Sequence, residues 1–191
     1  MTSYAGYGRF GLALMLLSLV ALGGAQTVHE GRVIAVDDGD TLTVLTRTGA
    51  RLRIRLAEID APELAQRYGQ RARQSLAHLT LQRPVRIVEQ TKDRYGRIVG
   101  RVYVGELDVS AELLRLGMAW SYRQYAQDPA LYPLEQQARA ARQGLWVDAR
   151  PIPPWTFRHG ETPSGRARHR PGSSLHTGGR HRCFQSNALW D

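Results

Sequence analysis

Residues 51–56, Arg-Leu-Arg-Ile-Arg-Leu, alternate strictly between arginine and a branched aliphatic side chain. A period of two fits an extended strand, whose successive side chains leave opposite faces; a helix would scatter these residues around its circumference. One face must be buried and the other basic, so this strand belongs to a sheet that covers a core. Its flanks narrow the choice further. Asp38-Gly39-Asp40-Thr41 follows the apolar run 32–36, and Asp60-Ala61-Pro62-Glu63 follows the alternating strand. Carboxylates at neighbouring strand ends, with arginines rising beside them, make a candidate site for a divalent cation and a phosphate.

Read in order, the chain predicts a first strand over 32–36, a turn at Asp38-Gly39, and a second strand over 41–48. Gly49-Ala50 turns it into the third strand, 51–58, which Pro62 stops. Ala72, Leu76 and Leu79 lie at helical spacing and predict a helix over 68–81, closed before Pro84. Val85, Ile87 and Glu89 open a fourth strand, and Asp93-Arg94-Tyr95-Gly96-Arg97 turns into a fifth over 98–104. Asp108 is placed to cap a helix over 109–116, ended by Gly117. Residues 118–125 read as an aromatic loop, and Pro133 opens a last helix with Leu134, Ala138 and Ala141 on one face and Gly144 closing it. Five strands with a helix inserted after the third predict an α+β, mainly β fold: a five-stranded Greek-key barrel of the OB type with three α-helices. Tyr95, Tyr103, Trp120 and Trp146 are expected in the core, and Tyr122 and Tyr125 are the better stacking candidates.

The two ends differ from this middle. Arg9 precedes an uncharged apolar run from Gly11 to Leu22 and then Gly23-Gly24-Ala25. That run is shorter than the ~20 residues a bilayer span needs, so residues 1–25 read as a signal peptide cleaved after Ala25, with an uncleaved anchor as the alternative. Export implies an oxidising compartment, yet Cys183 is the only cysteine, so no internal disulfide exists and the fold rests on its core. From Pro151 the chain reads as an extended, proline-rich linker, PIPPWTF, followed by a basic tail expected to be mobile because it has little apolar surface to bury. His159, His169, His176 and His181 match no ligand spacing. The net charge of +9 leaves +4 in residues 158–191 and +4 in residues 26–157. A basic surface favours polyanions without specifying one, and a basic envelope protein that holds anionic surfaces through its tail stays open as a reading.

Three pieces carry the chemistry: Asp38-Gly39-Asp40-Thr41, then the run Arg55 to Glu63, then Asp93 to Arg97. In this order and spacing, with AELLRLG and the closing GLW, residues 30–148 resemble the staphylococcal nuclease family. The resemblance implies calcium-dependent secreted nucleases on an OB-like barrel. It implies that Asp40 and Asp60 are the calcium-binding carboxylates and that Ala61, standing at a threonine of the best-known member, supplies a main-chain carbonyl to the metal. It further implies that Glu63 orients or deprotonates the attacking water, that Arg55 and Arg97 bind the phosphate, and that Tyr125, with Tyr122 beside it, meets the nucleotide. The implied reaction is endonucleolytic hydrolysis of DNA and RNA leaving 3′-phosphates. A monomeric domain over 26–150, secreted or periplasmic and without a membrane partner once the signal is cleaved, is expected. The residue chemistry agrees: calcium takes oxygen ligands in flexible geometry, and planar guanidinium donors match phosphate oxygens two at a time. The competing reading keeps the fold without the reaction, as a non-catalytic OB-fold nucleic-acid-binding module.

Overall fold

The chain buries the aliphatic face of residues 51–56 by closing its sheet on itself. The computed structural model describes residues 26–122 and 128–160. In order they form β1 (Val28–Val36), β2 (Thr41–Thr46), β3 (Arg51–Leu56), β4 (Ile59–Asp60), α1 (Gly69–Thr80), β5 (Pro84–Lys92), β6 (Ile98–Val104), β7 (Leu107–Asp108), α2 (Val109–Arg115), β8 (Trp120–Ser121), α3 (Leu131–Ala140), a 3-10 turn (Gly144–Val147) and α4 (Pro154–Arg158). β1 pairs antiparallel with β2 and β5, β2 with β3, and β5 with β6, and the parallel pairing of β3 with β6 closes five strands into a barrel.

Val33, Leu42, Val44, Ile54, Leu56, Ile87 and Val102 fill its interior with no exposed surface, while Arg51 and Arg53 face solvent. Each such burial contributes about 1.5–3 kcal/mol. A one-residue slip of β3 would exchange its two faces, so the register Leu42↔Ile54 is strongly specified. α1 closes the barrel with Ala72 and Leu76, and α2 adds Leu113 and Leu114. A smaller cluster of Trp120, Ala138, Leu145 and Trp146 joins the last helices to the body, with Tyr68 and Trp155 against it.

Several boundaries differ from expectation for identifiable reasons. β1 starts at Val28, because residues 28–32 pair with β5 although their own pattern does not alternate. β3 ends at Leu56: Glu58 takes a positive φ of 68° and turns the chain, so that Ile59 and Asp60 pair with Ser121 and Trp120 of the predicted aromatic loop. α3 begins at Leu131 rather than Pro133, since Asp128 accepts from Ala130 N at 2.9 Å and from Leu131 N at 3.3 Å. Asp108 caps α2 as predicted, accepting from Ala111 N at 3.0 Å. Gly117 adopts φ 63°, where a Cβ would lie 2.2 Å from Gln143 O. Trp120 and Trp146 are core residues, but Tyr95 is 71% exposed, on the turn between β5 and β6 with Arg94 and Arg97 beside its ring.

The largest departure follows Pro151. Extended Pro153 and then Pro154 at the first helical position start α4, a place where a missing N–H costs nothing. Trp155 holds it down, 6.3 Å from Trp120 edge-on and 5.9 Å from Tyr122 in a stacked arrangement. Residues 1–25, Tyr125 and the tail beyond Gly160, with Cys183 and three of the four tail histidines, lie outside the described residues.

Candidate active site

The turn before β2 and the end of β3 meet through one side chain. Asp38 Oδ1 accepts from Asp40 N at 3.0 Å, the turn chemistry that presents Asp40. Asp40 accepts from the Thr41 hydroxyl at 3.1 Å and from Ala61 N at 3.3 Å. Arg55 Nη2 lies 3.3 Å from Asp40 Oδ2 and 3.1 Å from Asp60 Oδ1. Its Nη1 donates to the carbonyls of Leu56 at 3.0 Å and Ile59 at 3.2 Å. Arg55 therefore fixes both acids and the turn between them. It is also the sequence-predicted phosphate ligand.

Asp60 is 1% exposed. Burial pushes its carboxyl pKa up, the Asp40 charge adds to this, and the Arg158 hydrogen bond opposes it. Asp38 is pushed up to about 6 by burial and by Asp40 beside it. Carboxylates crowded and desolvated in this way are stabilised by a cation.

Glu63 sits in the loop after β4, its N–H donating to Gln66 Oε1 at 2.7 Å. α1 starts directly beneath this loop, and only a glycine fits there: a Cβ on Gly69 would stand 1.9 Å from Glu63 O. We expect Gly69→Ala to displace the Glu63 backbone and to cost about 1–3 kcal/mol. Urea denaturation reads that loss, and an unchanged midpoint would mean that the loop yields freely.

Arg97, at the end of the β5–β6 turn, donates through Nε to Asp93 Oδ2 at 2.6 Å and through Nη1 to Thr41 Oγ1 at 3.4 Å. Asp93 in turn accepts from the backbone N–H groups of Tyr95 and Arg97. Burial pushes the Asp93 carboxyl up, but the Arg97 side chain and the two backbone N–H groups together outweigh it and hold the carboxyl below its ordinary value.

Asp40, Asp60, Ala61, Glu63, Arg55, Arg97 and Tyr122 line one open cleft of ≈ 760 Å³. Tyr122 also borders a second cleft with Trp120, Tyr132 and Trp155.

The acids offer only oxygen donors, and Asp40 and Asp60 contact the same Arg55 nitrogen. That donor chemistry fits a hard divalent cation. Among the described residues, however, no three carboxylate or imidazole groups converge at metal-binding distance; guanidiniums bridge the acids instead.

Three features were not foreseen. Arg158 of α4 reaches into the cleft, from a segment whose composition carried no periodic signal. Gln66 joins Glu63 to the carboxy-terminal segment, donating through Nε2 to Ile152 O at 3.0 Å. In the wall of the same cleft, buried Glu58 accepts from Gln90 at 2.7 Å, from Arg101 at 3.3 Å and from Asp128 N at 3.0 Å. Arg101 also binds Asp108 and Asp128. A glutamate next to Ile59-Asp60 was the available signal, but nothing local marked Arg101 as its partner.

A family model for staphylococcal nuclease homologues matches residues 53–148. The chain is 39% identical over 149 residues to a Haemophilus influenzae protein named an uncharacterized endonuclease, across 78% of this chain and 84% of that one. It is 42% identical over 140 residues to a micrococcal nuclease of Shigella flexneri (68% and 80%) and 41% identical over 163 residues to Protein ParB of Escherichia coli (80% and 92%). With that likeness and a five-stranded barrel that gathers acids and arginines in one cleft, the chain belongs to the staphylococcal nuclease family and is a nuclease.

Proposed function

We propose that this nuclease is a calcium-dependent endonuclease that hydrolyses DNA and RNA and leaves 3′-phosphate ends. The observation that carries the reading is the single cleft shared by Asp40, Asp60, Glu63, Arg55 and Arg97. Asp40, Asp60 and the Ala61 carbonyl would hold the ion, which supplies Lewis acidity and a template for the phosphate. Arg55 and Arg97 donate to the non-bridging phosphate oxygens, where negative charge grows as the bond to the 5′ oxygen breaks. Glu63 takes a proton from the attacking water at a carboxylate oxygen as the water oxygen bonds to phosphorus, and the departing 5′ oxygen leaves as a hydroxyl on taking a proton from solvent. Tyr122, at the rim, meets the nucleotide together with Tyr125. Export behind residues 1–25 would deliver the domain, with α4 packed on it, as a monomer outside the cytoplasm.

The purified chain is expected to cleave single-stranded DNA and RNA in calcium and to stop in chelator. Its products should resist polymerase extension until a phosphatase removes the 3′ group. Glu63→Gln should lower turnover by about 10²–10⁴, with binding of the oligonucleotide retained. Undiminished turnover in that variant would remove Glu63 from the reaction. Salt-dependent binding in calcium without any product would favour the non-catalytic OB-fold module. The presence of all five charged positions in one cleft speaks for the enzyme.

A further inference from the structure

The guanidinium of Arg158 occupies the acid cluster. Nη2 lies 2.7 Å from Asp60 Oδ2, and Nη1 lies 3.3 Å from Asp60 Oδ1 and 2.6 Å from Glu63 Oε1. Both Asp60 oxygens and one Glu63 oxygen are thereby engaged by a residue 95 positions or more along the chain. The contact is built rather than casual. Pro154 is buried, Trp155 packs on Trp120 and Tyr122, and His159 Nδ1 lies 2.6 Å from Trp155 O. Gln66 ties the same segment, through Ile152 O, to the backbone of Glu63.

A calcium ion sits 2.3–2.6 Å from each carboxylate oxygen that it binds. With Arg158 forked edge-on across both Asp60 oxygens, whereas Arg55 touches only Oδ1, a calcium ion at those oxygens would stand beside a second full cation, and the two repel strongly in a partly buried site. We propose that Arg158 is a resident competitor for the divalent cation: docking of Arg158 on Asp60 and Glu63 and binding of the metal by Asp60 exclude each other. The inference rests on the reading of Asp40 and Asp60 as metal ligands. It adds that α4 sets the calcium concentration at which the enzyme loads, because affinity falls by the fraction of molecules in which the site is open. It also places Glu63 under two controls, since the carboxylate that must accept a proton from water is held by Arg158 until the metal arrives.

The test is calorimetric titration of calcium into the full chain, wild type beside Arg158→Ala and Arg158→Lys, with the half-maximal calcium for cleavage measured in parallel. Arg158→Ala is expected to bind calcium about tenfold tighter, as for a site open about one time in ten in the wild type. Half-maximal calcium should fall by the same factor, and Arg158→Lys should lie between, because lysine keeps the charge without the fork. The side chain is 41% exposed, so the alanine variant should fold, and a thermal melt checks this. Equal or weaker calcium binding in the alanine variant, with both proteins binding, overturns the competition and leaves the metal reading standing. No heat of binding in either protein overturns both.

Discussion

Replacing Arg97 by alanine is expected to lower kcat by about 10²–10³, the typical loss of one preorganised donor to a transition-state oxyanion. The structure makes this a clean test. Arg97 is aimed by Asp93 at 2.6 Å and shares the cleft with Arg55 and the acids, while its ion pair with Asp93 is partly exposed and contributes about 0–1 kcal/mol to folding. Activity should collapse with little change in melting temperature. Arg97→Lys should recover only part of the rate, because an ammonium offers a point charge where the guanidinium offers a planar pair of donors. Single-turnover cleavage of a labelled oligonucleotide separates the possibilities. A rise in KM at unchanged kcat would assign Arg97 to uniform substrate binding, and turnover within threefold of wild type would take it out of the site.

Arg101→Ala should produce the largest loss of stability. Arg101 is 13% exposed and bridges Glu58, Asp108 and Asp128, with Glu58 almost wholly buried. Burial opposes its charge, but the hydrogen bonds that it donates to Asp108 and Asp128 and the nearby Asp108 and Glu58 charges raise its pKa above the ordinary arginine value. Removing the cation leaves clustered carboxylates without compensation, which costs about 3–5 kcal/mol of a typical total of about 5–15 kcal/mol. The damage should reach the substrate rim. Glu58 O accepts from Tyr122 N at 2.9 Å and its carboxylate accepts from Asp128 N at 3.0 Å, so both flanks of residues 123–127 hang on this glutamate. Urea unfolding is the measurement. Adding Glu58→Gln to Arg101→Ala should restore part of the loss, whereas a deficit below about 1 kcal/mol would show the network to be a solvated surface pair.

The barrel and much of the cleft are legible in the primary structure because their signals are local. Alternation over 51–56 specifies a two-faced strand, Asp38-Gly39 and Gly96 specify turns, and Asp108 with Gly117 brackets a helix. Turn acids and strand-end arginines keep their positions in the chain once those strands pair, so Asp40, Asp60, Arg55 and Arg97 meet where the motifs implied. Tyr95 was misplaced because aromatic character indicates burial only on average; at the tip of a tight turn its ring has no core to enter.

What the residue order determined by itself is the set of strands, their two faces and the acids at their ends, all fixed by backbone geometry within a few residues. Only the tertiary structure decided which cations those acids hold. Arg101 reaches Glu58 from β6, and Arg158 reaches Asp60 and Glu63 from a helix nearly a hundred residues away, because packing of Trp155 on Trp120 and Tyr122 brings it there. Charge pairing over such separations has no period and no motif. It depends on which surfaces close against one another, and only the folded chain settles that.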